Sequence, residues 1–229
     1  MNKILSTISI SLLLLVTAFH QQSNPRLFVI GDSISIQYGT YLEQYLEGKL
    51  IYQRKQDDGG APKDLEVPET PNGGDSRMVV EYLKVKLQDP SFSPNYLLIN
   101  CGLHDIKRNP ESNRRQVSPE AYRKNLTSIL DLSGSRQIQV IWVRTTQVID
   151  SIHNARQSSF HRYAEDLSTY NQIADQVMAS RQIPIIDLYE FTRILGAEQF
   201  IDHVHYNEAT RKLQAAFIAG FLENLRSKS

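Results

Sequence analysis

One cysteine, Cys101, occurs in 229 residues. An intramolecular disulfide is therefore excluded, and stability has to come from a core rather than from cross-links. Cys101 lies within an apolar run and reads as a small buried hydrophobe, not as a nucleophile. Neither sign of charge is in excess: 25 Lys and Arg balance 25 Asp and Glu. No basic field favours nucleic acid, and there is no acidic tail. The six histidines are scattered, with only His203 and His205 closely spaced. Beyond the first 22 residues no run is long and apolar enough to span a bilayer. There is also no repeat, low-complexity tract or linker. The length and the 41% hydrophobic content suit one domain with a sizeable core.

The N-terminus reads as a signal peptide. Lys3 gives a positive start, Ile8 to Phe19 an apolar stretch, and Val16-Thr17-Ala18 a small-residue cleavage site after Ala18. The apolar stretch is short for a membrane span, and no cysteine follows it to carry a lipid anchor. An uncleaved anchor is the alternative. Residues 1–22 are accordingly set aside, and 23–229 are assigned to a single domain. A secreted or periplasmic location is expected, with no stable membrane association after cleavage.

In the remainder, apolar runs alternate with helical patterns. Strands are predicted at Leu27–Ile30, Leu50–Gln53, Tyr96–Asn100, Gln139–Arg144 and Pro184–Leu188. The middle ones are rich in Val, Ile and Leu without polar alternation, as expected of strands covered on both faces. Helices are predicted at Ile36–Glu47, Ser76–Gln88, Pro119–Leu132, Tyr163–Ser180 and Glu208–Leu225. The third opens with Ser118-Pro119-Glu120, a serine cap, a first-turn proline and an acid. This alternation predicts a three-layer α/β/α sandwich around a mostly parallel five-stranded sheet, flavodoxin-like, with right-handed crossovers. Lys55–Asn72 and Gln147–Phe160 resist assignment and read as loops. Both follow strands, on the edge where such sheets bind ligands.

The informative chemistry lies at the two ends of the domain. Phe28-Val29-Ile30-Gly31-Asp32-Ser33 reads as a strand that stops at a glycine and delivers a serine into the loop beyond. By itself it is equally a turn with a good helix cap. Far along the chain, Asp202 stands three residues before His205. A serine needs a base within reach to attack a carbonyl, and the base needs an acid to orient it. His203 is a competing base, and the pair His203 and His205 also reads as metal ligands. Nucleophilic acyl transfer further needs donors for an oxyanion. Asn72-Gly73-Gly74-Asp75-Ser76 offers glycine N–H groups before a helix. Asn100-Cys101-Gly102-Leu103-His104-Asp105 offers polar groups beyond a buried strand. Each also reads as an ordinary turn or strand exit.

Taken in order, these segments resemble the motif blocks of the SGNH hydrolases, the GDSL esterase and lipase family. Gly31-Asp32-Ser33 is similar to the first block, Gly73-Gly74-Asp75-Ser76 to the second and Asp202-x-x-His205 to the last. Gly102-Leu103-His104-Asp105 stands where the family has Gly-x-Asn-Asp. The resemblance spans about residues 26–225. It implies a catalytic set of Ser33, His205 and Asp202, with His205 favoured over His203. It implies an oxyanion hole from Ser33, Gly74 (or Gly73) and the third block. There His104 replaces the family's asparagine. A neutral imidazole keeps one N–H and could donate; a substrate-binding role or an impaired site are the alternatives.

The resemblance implies an exported serine esterase acting on a small-molecule or polysaccharide ester without a cofactor. No long apolar lid favours a lipase, which tilts the expectation towards deacetylation of a carbohydrate. A non-catalytic glycan-binding member, a lipid or thioester hydrolase and a flavodoxin-like binding domain are the competing readings. The last lacks a phosphate-type glycine loop after the first strand.

Overall fold

The structure is a computed structural model that describes residues 24–56 and 71–228. The signal-peptide reading and most of the Lys55–Asn72 segment lie outside the described residues. Five strands form one all-parallel sheet: β1 (Arg26–Ile30), β2 (Ile51–Arg54), β3 (Tyr96–Ile99), β4 (Gln139–Val143) and β5 (Ile185–Ile186), in the order β2-β1-β3-β4-β5. Among the described residues seven α-helices cover it: α1 (Ser33–Tyr45), α2 (Ser76–Lys86), α3 (Pro119–Gly134), α4 (Asp150–Arg156), α5 (Ala164–Ser180), α6 (Leu188–Arg193) and α7 (Glu208–Arg226). Helix α7 packs on α1 and α6, while α3 packs on α2 and α5, giving the α/β/α layering expected from the alternating pattern.

Burial explains the absence of alternation in the inner strands. Leu27, Val29, Ile30, Leu97, Leu98, Ile99, Ile141 and Trp142 are all essentially inaccessible, because helices lie on both faces of the sheet. The edge strand β2 does alternate, with Ile51 exposed.

Three elements depart from the sequence reading. Helix α1 begins at Ser33, not Ile36. The buried Asp32 side chain accepts from the N–H groups of Ile34 (3.0 Å) and Ser35 (3.3 Å), and this cap winds the first turn immediately after the strand. Ser33 is therefore a first-turn helical residue rather than a loop residue. The polar stretch Gln147–Phe160 contains the short helix α4, whose His153 is wholly buried. Strand β5 is also shorter than predicted, because Asp187 already caps α6 by accepting from Glu190 N–H at 3.0 Å.

Buried polar side chains tie the carboxyl ends of the strands together. Asn100 donates to Val143 O (2.9 Å) and Thr145 Oγ1 (3.1 Å), and Tyr122 OH donates to Cys101 O at 2.9 Å. Asp105 accepts from Ser76 N–H through both carboxyl oxygens, at 2.9 and 3.1 Å, which fastens the exit of β3 to the start of α2. A parallel bridge pairs Gly31 with Asn72, and Gly73 N–H donates to Gly31 O at 2.8 Å. Cys101 is buried, and burial, followed by the charge of nearby Asp105, raises its thiol pKa well above the usual range. This is the environment of an inert structural thiol.

Two outcomes follow from these ties. A Cβ on Gly102 would lie 2.6 Å from Thr145 Oγ1. Gly102→Ala should cost about 1–3 kcal/mol in denaturant unfolding. The second concerns Asp105, whose carboxyl burial pushes up to about 7 against the hydrogen bonds from Ser76. A folded pKa above the unfolded value means stability that is present below about pH 4 and is lost as pH rises towards 7. The unfolding free energy of the native chain should fall across that window relative to Asp105→Asn. Parallel pH profiles of the two proteins would contradict this.

Candidate active site

The sheet delivers its polar residues to one edge. Ile30 is in register with Ile99, so Gly31-Asp32-Ser33 and Asn100–Asp105 leave the sheet side by side. Ser33 opens α1, where the first N–H groups have no intrahelical acceptor. Asp32 takes up those of Ile34 and Ser35 but not that of Ser33. Its backbone N–H therefore sits at the positive end of the helix, next to its own hydroxyl.

His205 comes to Ser33 from 172 residues away, in the segment that runs into α7. Its Nε2 lies 2.8 Å from Ser33 Oγ, and its Nδ1 lies 2.7 Å from Asp202 Oδ2. A carboxylate can only accept, so Nδ1 carries the proton and Nε2 is left to accept from the serine hydroxyl. Asp202 also accepts from the backbone N–H groups of Val204 (2.8 Å) and His205 (2.7 Å). Burial alone would raise its pKa. The His205 ring and these two N–H groups overcome that and hold the carboxyl well below the usual carboxylate range. Asp202 thus remains ionised and aimed at the ring. The three-residue spacing works because the loop folds back on the carboxylate like a helix cap.

His203 does not reach the serine. Its ring packs edge-on against His153 at 4.4 Å between centroids and lies 6.4 Å from the His205 ring. With both His205 nitrogens turned to Ser33 and Asp202, the two histidines do not present a paired metal site. Among the described residues no group of three or more His, Cys, Asp or Glu is arranged to hold a metal ion.

The expected oxyanion elements leave the same edge of the sheet as the serine, but they are engaged with a residue to which the sequence reading gave no role. Asn72 is 1% exposed. Its Oδ1 accepts from Gly74 N–H at 2.8 Å, and its Nδ2 lies 3.4 Å from His104 Nε2. Because Gly74 N–H can only donate, the Asn72 oxygen must face it and the amide nitrogen must face the imidazole. His104 Nε2 is then the acceptor, and the ring proton resides on Nδ1. Burial, reinforced by the charges of Lys107 and Arg162, pushes the His104 pKa well below its usual value, so the ring is neutral. Gly74 adopts φ +69°, a left-handed conformation that glycine reaches without strain. The alternative donor, Gly73 N–H, is spent on Gly31 O. Asn72 was legible only as a polar residue before a double glycine. Its role depends on the bridge to Gly31, which no local pattern announces.

The GDSL-like lipase/acylhydrolase family profile matches residues 27–218. Several solved structures share the fold. A lipase/acylhydrolase from Enterococcus faecalis superposes with a TM-score of 0.66 at 16% identity, covering 87% of this chain and 96% of that one. An acetyl xylan esterase, AlAXEase, gives 0.61 at 15% identity, covering 86% and 98%. The psychrotrophic esterase EstA from Pseudoalteromonas sp. gives 0.62 at 12% identity, covering 89% and 100%. No curated protein sequence matches the chain. The match over residues 27–218 spans most of the chain, which therefore belongs to the GDSL-like lipase/acylhydrolase family and is a hydrolase of ester bonds.

Proposed function

We propose that the mature chain is an exported serine esterase that removes acetyl groups from a carbohydrate through an acyl-enzyme. The observation that carries this reading is the continuous hydrogen-bonded chain Ser33–His205–Asp202, with contacts of 2.8 and 2.7 Å. Ser33 Oγ attacks the ester carbonyl while His205 Nε2 takes its proton. Asp202 stabilises the imidazolium and keeps its Nδ1–H in place. His205 then protonates the departing alcohol. Water enters, loses a proton to His205 and releases the acid. No step draws on a metal or organic cofactor.

The tetrahedral oxygen is held by Ser33 N–H, Gly74 N–H and His104. Its arrival displaces Asn72 Oδ1 from Gly74 N–H, exchanging a neutral acceptor for an anionic one. His104 contributes through Nδ1–H, the tautomer that Asn72 Nδ2 imposes by facing Nε2. Asn72 is thus a positioning residue. A carbohydrate ester is supported by the polar surroundings of His104 and by the likeness to a protein described as an acetyl xylan esterase. Export is supported by Lys3 and the apolar stretch that follows it.

Ser33→Ala should lower kcat on a small chromogenic acetate by roughly 10^3-fold or more with its fold intact. Equal rates for the native chain and this variant would remove the reading. At His104, replacement by Asn should retain most turnover, whereas Ala should lose roughly 10^2-fold, mainly in kcat. Unchanged turnover in both would rule out a donor role. A panel of acetylated glycans and acyl esters of rising chain length, assayed for released acid, tests the substrate class. Preference for the longer acyl chains would contradict deacetylation.

A further inference from the structure

The two backbone N–H groups assigned to the oxyanion belong to different segments. Ser33 opens α1, and Gly74 follows the stretch 71–73. Their separation is therefore set by whatever joins those segments. Backbone pairing makes one join: Asn72 bridges to Gly31, and Gly73 N–H donates to Gly31 O at 2.8 Å. A second join comes from the end of β2. Arg54, its last residue, stands opposite Val29 in the sheet.

The half-buried Arg54 side chain bridges both segments. Its Nη1 donates to Ser35 O at 3.0 Å, and its Nη2 donates to Ser35 Oγ and to Pro71 O, each at 3.2 Å. Ser35 lies two residues beyond the nucleophile in the first turn of α1, and its hydroxyl donates to Asp32 O at 2.7 Å. Pro71 lies three residues before Gly74. Lys55, next along the chain, adds a bond from Nζ to Asn72 O at 2.9 Å. The three Arg54 acceptors are neutral oxygens. The bridge thus depends on the planar fork of donors more than on its charge. Gly39, one turn beyond Ser35, leaves room for it. A Cβ there would lie 2.8 Å from Arg54 Nη1 and 2.6 Å from Tyr52 OH.

We propose that Arg54 is a positioning residue for acyl transfer, whose guanidinium fixes the gap between Ser33 N–H and Gly74 N–H. Its link to turnover rests on the serine esterase reading, but the bridge itself does not. Backbone pairing at a single residue leaves a segment free to pivot, and a second tie at Pro71 removes that freedom. The oxyanion exists only once Ser33 has attacked. The spacing of its donors therefore acts on kcat and leaves substrate affinity nearly untouched. A misplacement of about 1 Å can cost roughly 10^2-fold in rate. Arg54 acts through the main chain of two segments and is not itself a catalytic group.

On a small chromogenic acetate, Arg54→Lys should lower kcat roughly tenfold or more with KM within about twofold, because one ammonium cannot span three acceptors. Gly39→Ala displaces the guanidinium without removing it. Alanine suits a helix interior and the guanidinium can swing aside, so the melting temperature should hold while kcat falls as in Arg54→Lys. In Arg54→Ala, added methylguanidinium should restore much of kcat, and methylammonium should not. Unchanged kcat in both Arg54→Lys and Gly39→Ala would overturn the proposal. So would a loss carried by KM, or a loss in Arg54→Ala that methylguanidinium does not relieve. The amide resonances of Ser33 and Gly74, followed by NMR, separate the bridge from the chemistry. Shifts of both in Arg54→Lys support the bridge even if the native chain hydrolyses no ester. Resonances that stay in place remove it even if the acetate is turned over.

Discussion

The pairing of β1 with β3 is the constraint from which the rest of the site follows. Beyond their first residues, Arg26 and Tyr96, both strands are buried on both faces and their side chains are apolar. Polar chemistry is pushed to where the strands end. Parallel register then sets the two exits level, with Ile30 opposite Ile99. One exit carries Asp32 and Ser33, the other His104 and Asp105. The Gly31–Asn72 bridge adds a third segment to the same edge. Helices α1 and α2 start from these exits, and their capping residues Asp32 and Asp75 are buried beside them.

Several buried side chains at that edge each serve more than one partner, as burial favours. Asn72 is the clearest case. Its amide satisfies Gly74 N–H and faces the His104 ring with a single planar group. His104, which stands where the resemblance places an asparagine, is therefore tied to a second buried side chain. A buried neutral imidazole needs its tautomer set by a neighbour, and an asparagine 32 residues away in sequence supplies that neighbour. The surrounding charge acts in the same direction. Burial, and after it the charges of Lys107 and Arg162, keep the ring neutral.

Much of this was legible in the sequence. The five strands, five of the helices and their order follow from apolar periodicity, and Ser118-Pro119 marks the start of α3. Helices α4 and α6 were not legible. Each is only a turn or two, without a strong period: α4 has no side-chain cap and buries His153 alone, and α6 is capped by Asp187 and buries Leu188 and Thr192. The start of α1 was missed by three residues because the cap lies inside the motif itself. The serine, histidine and acid were legible as residue types in order, since their chemistry restricts which side chains can serve. Asn72 was not, because an asparagine before two glycines has the same local signature whether or not it faces a histidine.

The sequence by itself determined the layer architecture and the set of groups available for chemistry, because periodicity and residue type are local properties. It could not decide which histidine meets Ser33, or where the glycine N–H groups point. Those are matters of ångströms between segments as much as 172 residues apart. Only the packed sheet edge, where burial leaves each polar group few partners to choose from, turns His205 to Ser33, His203 to His153 and Asn72 to Gly74.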